Sequence, residues 1–354
     1  MSKFKVEFTL KQHTPHIHFQ ADQSGATLRA TELKPKFDKF LKEYIFNESF
    51  DALNYRVKIF GSKYETYTYK TYVNRKKAGR YDKEGAYFGN LKAIKFHQNI
   101  KVEFFSFNTE VIEKIREYFV DFISITNFGT RQNKGFGSFS VIKIDNKEIT
   151  FDENRLLRYY PKIYKINSTD PLKKILEDYQ YLKSGTNRPY KKSLLFEYMC
   201  KKSVRWEKRM IKEYLKKDFP SIFKKLKYEK EPIECKNEKS FEYQYIRGLL
   251  GITEQIEFLK RDARDFRDKI KIQIKSKDKS VERFKSPITY KVINNNIYVL
   301  AVNEIPIKGK EFIFKLKGEQ KKLYKPIKIP QDFDIFKFLD FALTNRLSYT
   351  ILKS

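Results

Sequence analysis

"NFGTRQNKGFGSF", residues 127–139, sets Gly129, Gly135 and Gly137 around Arg131, Gln132, Asn133 and Lys134. Glycine permits close backbone approach and positive φ, and cations aimed into such a space suit a phosphate. The stretch is neither a dinucleotide fingerprint nor a Walker loop: it has no G-x-G-x-x-G between strand and helix and no G-K-[ST]. Its position is also reversed, because it follows a helical pattern and leads into the strand "SFSVIKI" (138–144). A helix C-cap followed by a β-bulge would account for the glycines alone. The two cations and Phe136 point instead to contact with an RNA backbone.

Working outward, Phe4, Val6, Phe8 and Leu10 alternate with charged or polar residues, which predicts a half-buried first strand. Leu28, Leu33, Phe37, Leu41 and Tyr44 recur at helical spacing through "LRATELKPKFDKFLKEYIF" (28–46). Pro35 suits a first helical turn, so this helix is expected to begin near Lys34. Strands are expected at 53–59 and at the Tyr- and Thr-rich 64–73, a basic loop at 74–98, and a further strand at 99–107. Asn108 or Thr109 can cap the next helix, whose stripe is Val111, Ile112, Ile115 and Phe119. With one strand intercalated, residues 1–144 read strand, helix, strand, strand, helix, strand. That order is a ferredoxin-like unit, an antiparallel sheet with helices on one face and the other face open.

Residues 151–240 change character. "DPLKKILEDYQYL" (170–182) and "SLLFEYMCKKSVRWEKRMIKEYLKKDF" (193–219) read as amphipathic helices, the second presenting Leu195, Met199, Trp206, Met210 and Tyr214 along one face. From Arg188 to Lys230 there are 15 Lys/Arg against 5 Asp/Glu, so this basic insertion is either a phosphate-contacting or a solvated face. Strands return at 269–275, 287–293, 297–302 and 311–317, with "INNNI" (293–297) as a hairpin turn and 332–347 as a closing helix. The expected architecture is therefore α+β: tandem ferredoxin-like (RRM-like) domains with antiparallel sheets and a helical insertion. Its segments are 1–150, 151–240 and a second, degenerate unit at 241–354.

The whole chain carries 74 Lys+Arg against 44 Asp+Glu, a formal charge of +30. That excess repels itself unless a polyanion offsets it, and nucleic acid is the first candidate. A Lys-rich solvated surface is the plain alternative. With 40% apolar and 16% aromatic residues a packed core is expected, and no apolar run reaches membrane-spanning length. The opening "MSKFKVEFTL" lacks the apolar block of a signal peptide, and Cys200 and Cys235 are too few for a disulfide framework or zinc fingers. A reducing cytoplasm is the expected location, with no cofactor.

These motifs together resemble the RAMP superfamily of CRISPR-associated proteins. The Gly-rich loop lies between the last helix and last strand of the first unit, as in that family. Thr14-Pro15 in "HTPHIHF" (13–19) resembles its Thr-Pro after the opening strand. "LRATELKPKFDKFL" (28–41) is similar to its Arg-x-Ser/Thr-x-Ile/Leu-Lys-Gly-x-Leu-Arg segment, with Pro35 where Gly is usual and Lys39 roughly replacing the distal Arg. "ERFKSPITYKV" (282–292) resembles the Arg-x-x-Ser-Pro stretch of two-domain members. The resemblance spans 1–144 and, more loosely, 282–302. Two units with a helical insertion look most like the subunit capping the type III-B (Cmr) effector complex. That likeness implies a non-catalytic protein gripping the 3′ part of a guide RNA (crRNA) and the paired target RNA beside other RAMP subunits, with no membrane partner. The RNA-binding residues it implies are Arg29, Lys34, Lys36, Gly129, Arg131, Lys134, Gly135, Phe136, Gly137, Arg283 and Lys285.

Three of the four histidines, His13, His16 and His18, follow the first strand. Some RAMP proteins cut repeat RNA without metal, using a histidine between the first strand and first helix. An imidazole there could deprotonate a ribose 2′-OH and protonate the leaving oxygen. A metal site would need further ligands, and no Cys or acidic cluster stands nearby, so none is expected. Polar residues closing a strand are the plainer reading of all three.

Overall fold

The structure is a computed structural model describing residues 3–18, 28–46, 53–61, 64–67, 92–187, 190–226, 242–260, 269–278, 281, 284–320 and 325–353. The chain divides into two compact units: Met1–Asp178 with Ile288–Ala301 and Ser348–Ser354, and Tyr179–Pro287 with Val302–Leu347.

In the first unit, β1 (Lys5–Gln12) buries Val6, Phe8 and Leu10 on one face, as period-2 alternation requires. It is followed by α1 (Ala30–Leu41), β2 (Arg56–Phe60), β3 (Ile100–Phe105), α2 (Thr109–Ile125) and β4 (Phe139–Ile144). The antiparallel sheet runs β2-β3-β1-β4, with the short strand Lys147–Glu148 at its edge. This is the ferredoxin-like order expected for residues 1–144. Leu33, Phe37 and Leu41 of α1 and Ile112, Ile115, Phe119 and Ile123 of α2 are buried with the apolar face of the sheet. Phe37 is a hub of that core, its ring 4.9 Å from Phe122, 5.3 Å from Phe119 and 6.0 Å from Phe104.

Asn108 caps α2: its Oδ1 accepts from the N–H groups of Glu110 (2.9 Å) and Val111 (3.3 Å). Asn108→Ala is expected to cost about 1 kcal/mol, read as a lower urea midpoint at unchanged slope.

Helix α1 begins at Ala30, ahead of the expected start near Lys34, and Pro35 lies inside it. Proline removes one helical hydrogen bond, but burial of Leu33, Phe37, Phe40 and Leu41 outweighs that loss. Within the stretch expected as loop 74–98, Lys92–Phe96 is a strand. It pairs with Tyr64–Tyr67 on one side and His16–His18 on the other, forming a separate three-stranded sheet. The rest of the Tyr-rich segment lies outside the described residues.

A second sheet of the first unit repeats the pattern. In chain order β5 (Lys162–Asn167) is followed by α3 (Pro171–Lys183, whose last turns fall in the second unit), β6 (Ile288–Ile293), β7 (Asn296–Ala301), a helical stretch at 335–347 that belongs to the second unit, and β8 (Thr350–Lys353). Its order is β6-β7-β5-β8, matching β2-β3-β1-β4 strand for strand. The fold is thus α+β with tandem ferredoxin-like sheets, and the second takes its first strand from before residue 241. Asn294 (φ 48°) and Asn295 (φ 66°) turn the β6–β7 hairpin, because Asn tolerates the left-handed conformation such turns need.

The second unit contains an antiparallel sheet in the order Gln255–Leu259, Lys269–Ser276, Glu311–Leu316, Ile327–Lys328. The helix expected over 193–219 is interrupted. Leu194–Cys200 and Lys208–Asp218 are helical, whereas Val204–Trp206 is a strand paired in parallel with Glu242–Gln244. Ser203, at φ 59°, breaks the helix, and Trp206 is buried with its ring 4.6 Å from Phe196. Strand pairing satisfies the backbone while Leu195, Met199, Trp206 and Tyr214 of the expected stripe stay buried and Met210 is only half-buried, which is why helical spacing alone misreads it. Among the described residues no helix is long and apolar enough to cross a membrane.

Candidate nucleic-acid interface

The glycine loop starts where α2 ends. Gly129 (φ 80°), Arg131 (φ 56°), Gly135 (φ 79°) and Gly137 (φ 66°) fold it back on itself, and the Phe128 N–H donates to Gly137 O at 3.0 Å. The Thr14-Pro15 turn is stitched into it. Thr14 Oγ1 donates to Gly135 O (2.5 Å) and accepts from Ser138 N (2.9 Å), while Gly137 N donates to Pro15 O (2.9 Å).

The far side of the loop meets β6. Asn127 Nδ2 donates to Tyr290 O (2.8 Å), Tyr290 N donates to Asn133 O (3.2 Å), and Ser138 Oγ donates to Val292 O (2.6 Å). Beneath it Lys291 is fully buried, its Nζ donating to Ile123 O and Thr126 O, both at 2.7 Å. That amine serves the carbonyl end of α2, where a cation complements the helix dipole. Burial pushes its pKa well below the usual lysine value.

The inner half of the loop is therefore a seam between two sheets. Phe136 is fully buried with Ile17, Ala93 and Leu172, so its ring is a core side chain. Gly135 and Gly137 are buried as well. Burial, with Arg131 close by, lowers the Lys134 pKa. Of the helix cations, Lys34 pairs with Asp38 (2.9 Å), donates to Leu53 O (2.8 Å) and sits 3.9 Å above the Tyr55 ring. Lys36 donates to Glu32 (2.7 Å), Gln132 Oε1 (2.9 Å) and Asn127 O (3.0 Å), tying α1 to the loop. Arg29, just before α1, is half-buried. Lys285 is exposed and belongs to the second unit; Arg283 lies outside the described residues.

What opens to solvent beside the loop is a cleft of about 230 Å³. Lys36, Lys39 and Tyr44 line one side, Thr126, Gln132 and Asn133 another, and Tyr160 and Thr289 also contribute. Lys39, the loop amides and the hydroxyls offer hydrogen-bond donors and the two tyrosines offer ring faces, while the Lys36 amine is committed to Glu32, Gln132 and Asn127 and Glu43 adds a carboxylate. Such a set suits phosphate, 2′-OH and base contact. Lys39, Tyr44, Tyr160 and Thr289 were not singled out as site residues from the sequence. The signal within reach was Lys36, Lys39 and Glu43 at i, i+3 and i+7, one face of α1.

His16 and His18 are buried and His13 half-buried. His13 Nδ1 accepts from Asn294 N (3.3 Å), and Nε2 lies 2.8 Å from Ser140 Oγ. Burial, then Lys291 and Lys11, pulls its pKa down to about 3. His16 is fully buried, with neither ring nitrogen hydrogen-bonded, and burial lowers its pKa to about 4 although Glu32 stands 4.0 Å away. Burial also lowers His18, assisted by Arg29. Burial would raise Glu32, but Lys36 and the Gly129 N–H (2.8 Å) hold its carboxyl below the usual range. Among the described residues no cluster of His, Cys, Asp or Glu could hold a metal ion.

Comparison with known proteins gives the family. The model of the Cmr1 N-terminal domain matches residues 3–186, and that of the Cmr1 C-terminal domain matches residues 190–351. No curated protein matches the chain. Among solved structures, the crystal structure of Cmr1 from Pyrococcus furiosus (apo form) is similar at 12% identity and TM-score 0.40, over 98% of each chain. A cryo-EM structure of the Type III-B Cmr-beta bound to cognate target RNA is similar at 12% identity and TM-score 0.28, over 40% of this chain and 60% of that one. With the two domain models following one another along almost its whole length, the chain belongs to the Cmr1 family, RAMP proteins of type III-B CRISPR systems.

Proposed function

We propose that this chain is a non-catalytic, RNA-binding RAMP subunit of a type III-B effector ribonucleoprotein in the cytoplasm. It contacts the 3′ part of the guide RNA and the paired target RNA, beside other RAMP subunits. The observation that carries this reading is the cleft where Lys36 and Lys39 of α1 meet Gln132 and Asn133 of the glycine loop. The formal charge of +30 supports a polyanionic partner. Contacts of this kind position the RNA and carry little sequence information.

Lys39→Glu combined with Arg131→Ala tests it, since Lys39 is exposed and Arg131 half-buried. In a filter-binding salt titration with guide RNA, affinity is expected to fall about tenfold. The log–log salt slope should flatten by about one for each phosphate that is no longer neutralised. Unchanged affinity and slope would remove the cleft from the RNA path.

The rival reading is a metal-independent repeat endoribonuclease using His13, His16 or His18. Burial speaks against His13 and His16, whose pKa values near 3 and 4 leave them without a proton for a leaving oxygen at neutral pH, and it lowers the pKa of His18 as well. Labelled repeat RNA incubated with the protein in chelator should stay intact. Cleavage lost in single His→Ala variants would reverse the ranking.

A further inference from the structure

The helices cover only one face of the first sheet, and the other face is built in rows. Cα register places Arg56, Phe105 and Lys5 in one row, Lys58, Glu103 and Glu7 in the next, and Phe60, Lys101 and Thr9 in the third. All nine lie opposite the core face, because Val57, Ile59, Val102, Phe104, Val6 and Phe8 take the alternate positions. The first row thus sets Phe105 between two cations, and the third sets Phe60 beside one. Glu103 pairs with Lys5, and Glu7 pairs with Lys101 at 2.9 Å. Both carboxylates are thereby neutralised, leaving Arg56 and Lys58 as the excess charge of this face.

The aromatic surface continues past the strand ends. Phe107 is 82% exposed, its ring 5.0 Å from Phe105 and 6.2 Å from Phe4, which is itself 40% exposed. Phe60 is 51% exposed at the other end of β2, four residues from Arg56 and so roughly 13 Å along the strand. Core packing does not explain rings held this far into solvent, and a folded surface keeps such patches for a partner. Rings interleaved with cations fit single-stranded nucleic acid, whose bases stack on the rings while phosphates meet the cations. A protein partner would be better matched by an apolar patch with depleted charge.

We infer that this open sheet face is a stacking platform for single-stranded RNA, with bases on Phe60, Phe105 and Phe107 and phosphates on Arg56 and Lys58. The inference rests on the RNA-binding reading above but uses the face opposite the helices, away from the cleft.

The test uses the full chain carrying Phe60→Ala and Phe107→Ala, both strongly exposed positions, with Arg56→Ala/Lys58→Ala as a second variant. Fluorescence anisotropy is read with a labelled single-stranded RNA and with the same RNA annealed to its complement. The phenylalanine pair is expected to weaken single-strand binding about tenfold, at an unchanged salt slope and with duplex binding unaffected. The Arg56/Lys58 pair should instead flatten the slope. Ultraviolet crosslinks should map to 56–60 and 100–107. Unchanged single-strand affinity in both variants, while Lys39→Glu/Arg131→Ala weakens binding, overturns the platform and leaves the proposed function standing. Unchanged affinity in all three overturns both. Equal losses on single strand and duplex would overturn base stacking. Intact RNA affinity with loss of a co-purifying subunit would make the face a protein-docking surface instead.

Discussion

Gly137→Ala is expected to unfold the first unit or leave it barely stable. At φ 66° any Cβ is strained, and one placed here would stand 1.9 Å from the carbonyl oxygen of Phe128. That atom is backbone, so no side chain can swing away to relieve the overlap. Separating the two chain segments would break the Phe128 N–H to Gly137 O bond and pull Phe128 out of its core contacts with Phe122 and Phe139, both 6.1 Å distant. Backbone strain, overpacking and a broken buried hydrogen bond each cost about 1–3 kcal/mol. Their sum is on the order of 5 kcal/mol, comparable with the whole stability of a typical domain. Gly318→Ala is the control: its φ of 92° is as unfavourable, but a Cβ there meets nothing within 4 Å. Thermal melts followed by circular dichroism should show Gly318→Ala slightly shifted and Gly137→Ala collapsed. Equal small shifts would show that the loop seam yields easily.

Acidification from pH 7 to pH 4 is expected to strip several kcal/mol from the protein through its buried histidines. His13 and His16 are held neutral by burial, with pKa values of about 3 and about 4 against an ordinary 6.5. The unfolded chain takes up both protons near pH 6.5, whereas the folded chain refuses them until far lower. Their contribution to stability is therefore complete above about 6.5 and is lost progressively as pH falls toward 4. At about 1.4 kcal/mol per unit, each histidine accounts for roughly 3–5 kcal/mol across its window. Urea midpoints at pH 7, 6, 5 and 4 measure this. His16→Leu should flatten the profile by about one proton, and an unchanged slope would show that His16 reaches solvent. The same experiment bears on catalysis, because a histidine that titrates only with unfolding is no general acid.

Local pattern carried much of this protein. The alternation of Val6, Phe8 and Leu10, the stripe of α2 with its Asn108 cap and the Asn-Asn hairpin each depend on near neighbours, and each stands where the sequence placed it, whereas Phe4 lies before the strand and is exposed. The elements it missed depend on distant partners. β5 is six residues long, and its Tyr164 pairs with Val299 more than a hundred positions later. Lys92–Phe96 is a strand because His16–His18 and Tyr64–Tyr67 flank it. Val204–Trp206 leaves helical spacing because Glu242–Gln244 offers a parallel edge.

The site divides in the same way. Sequence alone determined that three glycines with Arg131 and Lys134 would lie between α2 and β4 and that Thr14-Pro15 would follow the first strand; that the two meet is a finding of the structure. Only the tertiary structure decided which side of that loop faces solvent. Gly135, Phe136 and Gly137 turn inward because hydrogen bonds from Thr14, Pro15 and β6 satisfy their backbone there and because the Phe136 ring gains a core. Gln132 and Asn133 are left to line the cleft with Lys36 and Lys39. Composition can supply a cation, but burial and pairing across the fold determine whether its charge reaches a ligand or is spent on the protein's own carbonyls, as with Lys291.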